Sequence, residues 1–343
     1  MGIFTFSSIL IRPYLARLAD TRGRRFVLLA ATASFALLFL PYMKVQTMIP
    51  LYCLRILHGV VHGAFLAAAF AYVADLAPHD RRGEVMGIFG VANVLSMALS
   101  PALGIWLFNI SGGSFFYPFT ASVILASLAF LAITMIGEMK PGLSKTENRS
   151  FTAIVRQRAL WVSSLSLFSG ATVYGATMTF LPVYAPQRGL NNFGIFFTVY
   201  AASTILSRIV TGRLSDRVGR SKIVMPFMGL LAVAVFLLPF LHSIPMLVLI
   251  GACFGMSFGT YMPTLNALIV DETPPRDRGP AIAFFTAFMD VGITTGSILL
   301  GVAAEFWGYA VMFTIGGFVV VGGLLLFSLY WGCRGGSQMK KEI

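Results

Sequence analysis

Long uncharged apolar runs constrain this chain more than any other feature. Stretches such as 26–43, 223–241 and 246–270 hold no charged residue. A helix needs about 20 predominantly apolar residues to cross the hydrocarbon core of a bilayer. Segments meeting or approaching that requirement occur at about 2–16, 26–43, 49–74, 84–109, 115–137, 158–185, 192–212, 222–241, 245–270, 279–304 and 309–332. They lack the alternation over roughly 10 residues that marks a barrel strand. The composition agrees: 57% of residues are hydrophobic and 11% charged, against about 25% charged in a soluble domain. The expected fold class is an all-α membrane protein.

The net charge is +12, which in a soluble protein would suggest a nucleic-acid partner. Its placement argues against one. Arg17, Arg22, Arg24 and Arg25 follow the first span, and Arg81 and Arg82 follow the third. Lys140, Lys145, Arg149, Arg156 and Arg158 fall in or at the end of a central linker. Arg213, Arg217, Arg220 and Lys222, then Arg276 and Arg278, then Arg334, Lys340 and Lys341 complete the set. All lie on one side of an alternating topology, while the opposite loops hold only Lys44 and Arg188. Such a bias marks the cytoplasmic side, so the C-terminus is expected there. Cys53, Cys253 and Cys333 lie in spans or at a span end and suggest no disulfide framework.

The chain repeats itself at one offset. Ala16-Arg-Leu-Ala-Asp-Thr-Arg-Gly-Arg24 recurs 196 residues later as Gly212-Arg-Leu-Ser-Asp-Arg-Val-Gly-Arg220. The same offset pairs Arg12 with Arg208, Gly59 and Gly63 with Gly255 and Gly259, and Asp75…Arg82-Gly83 with Asp271…Arg278-Gly279. A constant offset across separated motifs implies two homologous halves. The expected division is a bundle at 1–138, a linker at 139–157, a second bundle at 158–333 and a tail at 334–343.

The doubled segment resembles the signature loop of the major facilitator superfamily, roughly Gly-x-Leu-Ala-Asp-Arg-x-Gly-Arg-Arg, found between the second and third helices of each half. The first copy departs from it with Ala16 and Thr21. The resemblance implies two pseudo-symmetric helical bundles. It also implies an inner gate of Asp20, Gly23, Arg24, Asp75 and Arg82 in one half and Asp216, Gly219, Arg220, Asp271 and Arg278 in the other. Leu54-Arg55…Gly59 is similar to the family's fourth-helix motif. Ser100-Pro101-Ala102-Leu103-Gly104 is a partial match to the Gly-Pro-x-x-Gly-Gly motif of its drug/proton antiporters. Ser100 and Ile105 replace two of the motif's glycines, and a generic kinked helix is the competing reading. Pro101 and the small residues are expected to bend that helix and admit a close neighbour.

Numbering against that fold places the segment at 2–16 as the second helix of its half. The span at 158–185 has its counterpart before Met1. The expectation is therefore eleven spans, the family's twelve without the first, with five helices in the first half against six in the second.

Residues unique to one half are candidates for substrate or proton work, because ionisable groups in hydrocarbon are costly. Arg55, His58 and His62 share one helix face by their spacing of three and four, and their counterparts are Gly251, Phe254 and Phe258. Asp290, whose counterpart is Val94, can serve as a protonation site, a counter-ion to Arg55 or a partner for a hydroxyl. Tyr174, Tyr200, Tyr261, Asn93 and Asn266 are candidate cavity residues. Trp106, Trp161, Trp307 and Trp331 sit at expected span ends, as aromatic belts do.

No Gly-Lys-Ser/Thr phosphate loop is present, which argues against an ATP-driven pump. No metal-ligand spacing is present either. No enzyme, metal or cofactor is expected. The expected activity is secondary transport of small organic solutes by alternating access, as proton-coupled efflux through a prokaryotic inner membrane. The partners are a small molecule, protons and lipid, with the protein a monomer. A sugar or metabolite facilitator or importer, and a non-transporting receptor, are the alternatives.

Overall fold

The structure, a computed structural model, describes residues 2–77, 82–138, 156–274 and 277–339. Among these, ten α-helices account for most residues and no strand occurs. They are α1 (Gly2–Arg22), α2 (Arg24–Tyr42), α3 (Met48–Leu76), α4 (Arg82–Ile110) and α5 (Phe116–Thr134). After the linker come α6 (Arg158–Gln187), α7 (Gly194–Val218), α8 (Arg220–Leu237), α9 (Ile244–Glu272) and α10 (Arg278–Met339). The last is two helices joined at Gly308, whose φ of 81° and ψ of 165° break the ladder. Counting its limbs separately gives eleven helical segments, at the positions the apolar runs predict.

The chain divides into two units, Ile3–Ser144 and Lys145–Ile343. In the first, α2 packs against α3 and α5, over a small core of Ala19, Val27, Leu28, Ala31, Ala64, Ala68 and Tyr72. In the second, α6 lies along both limbs of α10, and α9 packs against α7 and α8.

Seven stretches are long and apolar enough to cross a membrane on those criteria alone. The 30-residue α6 is not among them, although its length corresponds to about 45 Å. Ser163, Ser164, Ser166, Ser169, Thr172 and Thr177 lower its hydropathy, and all six are buried. The Ser166 hydroxyl donates to its own helix at Val162 O (2.8 Å) and lies 3.3 Å from Gly323 O of α10. A polar stripe that would be costly against lipid is hidden inside the bundle.

Two expectations need correction. The first span does not stop near residue 16: α1 continues helically through the signature segment to Arg22, because nothing between Ala16 and Arg22 prevents helical pairing. Trp331 is buried, packed beside Tyr330 and Phe327, whereas Trp106 and Trp307 are exposed as belt residues are. Proximity to a span end gives a residue's depth and leaves its rotation about the helix axis undetermined.

Candidate functional site

The signature segment in each half ends at one glycine. Gly23 separates α1 from α2 with φ 96° and ψ 143°, and Gly219 separates α7 from α8 with φ 103° and ψ 131°. Side chains other than hydrogen are strongly disfavoured there, so each expected loop is a one-residue joint between two helices.

Directly after each joint, an arginine pairs with the acid at the end of the next helix. Arg24 pairs with Asp75 and also donates to the Ala71 carbonyl. Arg220 meets Asp271 at 2.9 Å. Each pair lies within its own unit, related to the other by the 196-residue offset. The Arg278 Nε donates to Val270 O (3.0 Å) and Thr273 O (3.3 Å), capping the end of α9. Asp20 and Asp216 occupy the last turns of α1 and α7, and Arg82 opens α4. The side chains of these three residues lie outside the described residues, as does that of Asn93.

The first joint has a fixture that the repeat does not forecast. The Arg25 guanidinium donates to the Thr134 carbonyl (2.7 Å) and to Ile133 O (3.4 Å) at the C-terminal end of α5, where a cation meets the negative end of the helix dipole. The Glu138 carboxylate accepts from the Arg25 backbone N–H at 3.3 Å and lies over the Cα of Gly23. Tyr72 donates to Gly137 O at 3.0 Å. Counterparts of Arg25, Tyr72 and Glu138 in the second half are Ser221, Leu268 and Arg334, so the offset carries no signal for this cluster.

Deeper in the first unit, the polar stripe of α3 faces aromatic rings. The His58 ring centre lies 5.1 Å from Phe4, 5.2 Å from Phe39, 5.5 Å from Phe35 and 5.8 Å from Tyr42. His62 lies 5.0 Å from Phe4. The Nδ1 atoms of both histidines are buried with no hydrogen-bond partner among the described residues. The Arg55 guanidinium sits over the Tyr42 ring at 5.2 Å, and Phe119 stacks on Tyr42 at 5.2 Å. A guanidinium on an aromatic face is stabilised by the ring quadrupole. Tyr42, Phe35 and Phe39 are the residues that sequence reasoning missed. Their only trace was aromatic spacing of three and four along α2.

The small-residue face of α3 seats α1. A side chain at Gly59 would overlap the Phe4 carbonyl, and one at Gly63 would crowd Ser8. The second unit repeats this, with Gly255 against Tyr200 and Gly259 against Thr204. There Phe254 and Phe258 take the places of His58 and His62. Tyr174 stacks on Phe258 at 4.7 Å, and Tyr200 lies 6.0 Å from Phe254. Tyr174, Tyr200 and Tyr261 are all buried in this column. Asp290 is also buried, at 9% exposure, in the first limb of α10.

In α4, Ser100 donates to the Ser96 carbonyl at 2.7 Å, and Pro101 lies within the helix. Gly104 faces open space, with nothing within 4 Å of where a Cβ would sit. Among the described residues, no close helix neighbour lies at Gly104. Among the described residues, no group of three or more His, Cys, Asp or Glu could hold a metal ion.

Paired helical units, doubled one-residue joints and ionisable residues inside apolar helices define a multi-pass membrane protein of the transporter class. The chain belongs to the Major Facilitator Superfamily, whose sequence profile matches residues 1–196 and again 190–341, and its activity is secondary transport of small solutes. It is similar to the staphylopine export protein of Staphylococcus aureus (strain Mu50 / ATCC 700699), 23% identical over 336 residues that cover 94% of this chain and 83% of the relative. It is also similar to the multidrug resistance protein MdtG of Salmonella arizonae (strain ATCC BAA-731 / CDC346-86 / RSK2980), 25% identical over 335 residues covering 95% and 81%. The crystal structure of the human organic anion transporter MFSD10 (TETRAN) has the same fold. Its TM-score is 0.71 at 18% identity, over 95% of this chain and 82% of that one.

Proposed function

We propose that this chain exports small organic solutes in exchange for protons across the cytoplasmic membrane of a prokaryote, as a monomer with its basic loops and C-terminus in the cytoplasm. The observation that carries this reading is the stripe of Arg55, His58 and His62 on α3, with the Nδ1 atoms of both histidines buried, which the second half replaces with Gly251, Phe254 and Phe258. Ionisable groups held inside apolar helices on one side of a repeat serve chemistry that the repeat does not share. Imidazole is the side chain whose ordinary protonation range lies near neutral pH. Two relatives are named for export and for multidrug resistance, which supports the outward direction.

In this reading 1–138 and 158–333 are the two bundles of an alternating-access transporter, with 139–157 the cytoplasmic linker and 334–343 a cytoplasmic tail. Arg24, Asp75, Arg220 and Asp271, with Asp20, Asp216, Arg82 and Arg278, form the inner gate at the Gly23 and Gly219 joints. Arg55, His58, His62, Asn93, Asp290 and Tyr174 serve substrate and proton.

The test is transport in proteoliposomes with and without an imposed pH gradient, read beside solute counterflow. Gradient-driven accumulation that vanishes with a protonophore while counterflow persists supports exchange. Equal rates with and without the gradient would make the protein a facilitator. The altered antiporter motif, with Ser100 and Ile105 in place of glycine and Gly104 unpacked, favours that second reading.

A further inference from the structure

The first unit carries a groove of about 190 Å³ between α1, α2 and α3, whose lining includes Leu18 and Phe26 on either side of the Gly23 joint in sequence. It is lined by Leu15 and Leu18 of α1, Phe26, Ala30 and Ser34 of α2, and Val60 of α3. Leu18 and Phe26 are 38% and 51% exposed, so the groove opens on the surface.

The repeat shows why the groove exists. Ala30, Ser34 and Val60 correspond to Pro226, Leu230 and Met256 in the second half, where bulkier side chains occupy the same positions. From Phe26 to Ser34 the groove runs eight residues, or about 12 Å of helix. One leaflet of hydrocarbon is about 15 Å deep, half of a bilayer core of roughly 30 Å. Arg22 follows Leu15 and Leu18, which line the groove, on the same face of α1 by their spacing of three and four, and it is exposed. Arg24 and Arg25 are committed to Asp75 and to the end of α5. Among the described residues, Arg22 is thus the cation on this face at the level where lipid phosphates lie.

A helix seated as α6 is seated in the second unit would not fill this groove. There α6 meets Phe258 through Tyr174, and Tyr261 and Leu231 through Gly170. The equivalent positions in the first unit are His62, Phe65 and Phe35, none of which lines the groove.

We propose that this groove holds one acyl chain of an anionic phospholipid from the leaflet adjoining the basic loops, with its phosphate on Arg22. A guanidinium matches phosphate geometry, and each basic residue at an anionic surface contributes about 1 kcal/mol.

The experiment is native mass spectrometry of the detergent-purified full chain with phosphatidylglycerol or phosphatidylcholine of matched acyl chains. The parent should retain the anionic lipid about fivefold over the zwitterionic one, the equivalent of that single-charge contribution. Arg22→Gln should bring the two to parity. Ser34→Leu with Val60→Met, the side chains of the second half, should lose both lipids. Equal retention of the two lipids by the parent overturns the proposal. So does undiminished anionic lipid on the filled groove. A parent dimer that disappears in the filled variant would instead make the groove an interface between copies, and also overturns it. Arg22→Gln alters an exposed position, so it decides the question even if the filled variant does not fold.

Discussion

Arg24 holds the first turn of α2 to Asp75 in the last turn of α3, and Arg220 repeats this with Asp271 at 2.9 Å. The two pairs are related by sequence and differ in surroundings. The Asp75 side chain is 17% exposed and that of Asp271 is 52% exposed. Removing one partner from a dry pair leaves an uncompensated charge and costs about 3–5 kcal/mol. An exposed pair contributes about 0–1 kcal/mol.

Asp75→Asn is therefore predicted to lower the melting temperature of the purified protein well beyond the drop from Asp271→Asn. Thermal unfolding of both variants beside the parent checks this. Equal drops would show that the two pairs are equivalent despite their exposure.

Gly23→Ala and Gly219→Ala should each destabilise by about 1–3 kcal/mol, the cost of a side chain in a backbone region reserved for glycine. The loss should be greater at Gly23, where the added Cβ would lie 2.9 Å from the Glu138 carboxylate. At Gly219 the nearest side chain is Lys222, at 4.0 Å. Adding Glu138→Ala to Gly23→Ala should recover the difference, and no recovery would remove Glu138 from this account.

For Tyr42, the prediction separates ring from hydroxyl. Tyr42→Phe keeps a face under the Arg55 guanidinium and should leave transport near the parent's. Tyr42→Leu removes an interaction of about 0.5–2 kcal/mol and should raise the transport KM by roughly two- to thirtyfold. If Tyr42→Phe were as impaired as Tyr42→Leu, the cation–ring contact would not be what positions Arg55.

Replacing His58 and His62 together with Phe installs the second half's residues in a box already lined by rings. Helix content and melting temperature should stay close to the parent's, while accumulation driven by a pH gradient should be lost and counterflow retained. Retained gradient-driven accumulation would reduce both histidines to packing.

The parts legible in the sequence were those carried by periodicity and by the repeat. Apolar runs located the helices, and the offset of 196 led from Arg24 and Asp75 to Arg220 and Asp271. The joints were misread in extent, because a signature known as a loop does not reveal that its residues stay helical up to Gly23. Helix rotation was also hidden: equal nearness to span ends left Trp331 buried and Trp307 at the surface. Contacts present in only one half, such as Arg25 with the end of α5 or Tyr42 with Arg55, gave the repeat nothing to match.

The hydroxyl-rich α6 has a bearing on how the protein is made. During synthesis a helix enters the bilayer according to its own hydropathy, and α6 presents six buried Ser and Thr side chains before its neighbours exist. Its final place lies along α10, the last helix to be synthesised. Stable insertion of α6 must therefore wait on downstream helices, and the second unit should assemble as a group late in translation. Expressed between soluble reporters, α6 alone should insert poorly, and insertion should rise only when the segment extends through α10. Efficient insertion of isolated α6 would show that its hydroxyls bond within their own helix well enough to tolerate lipid.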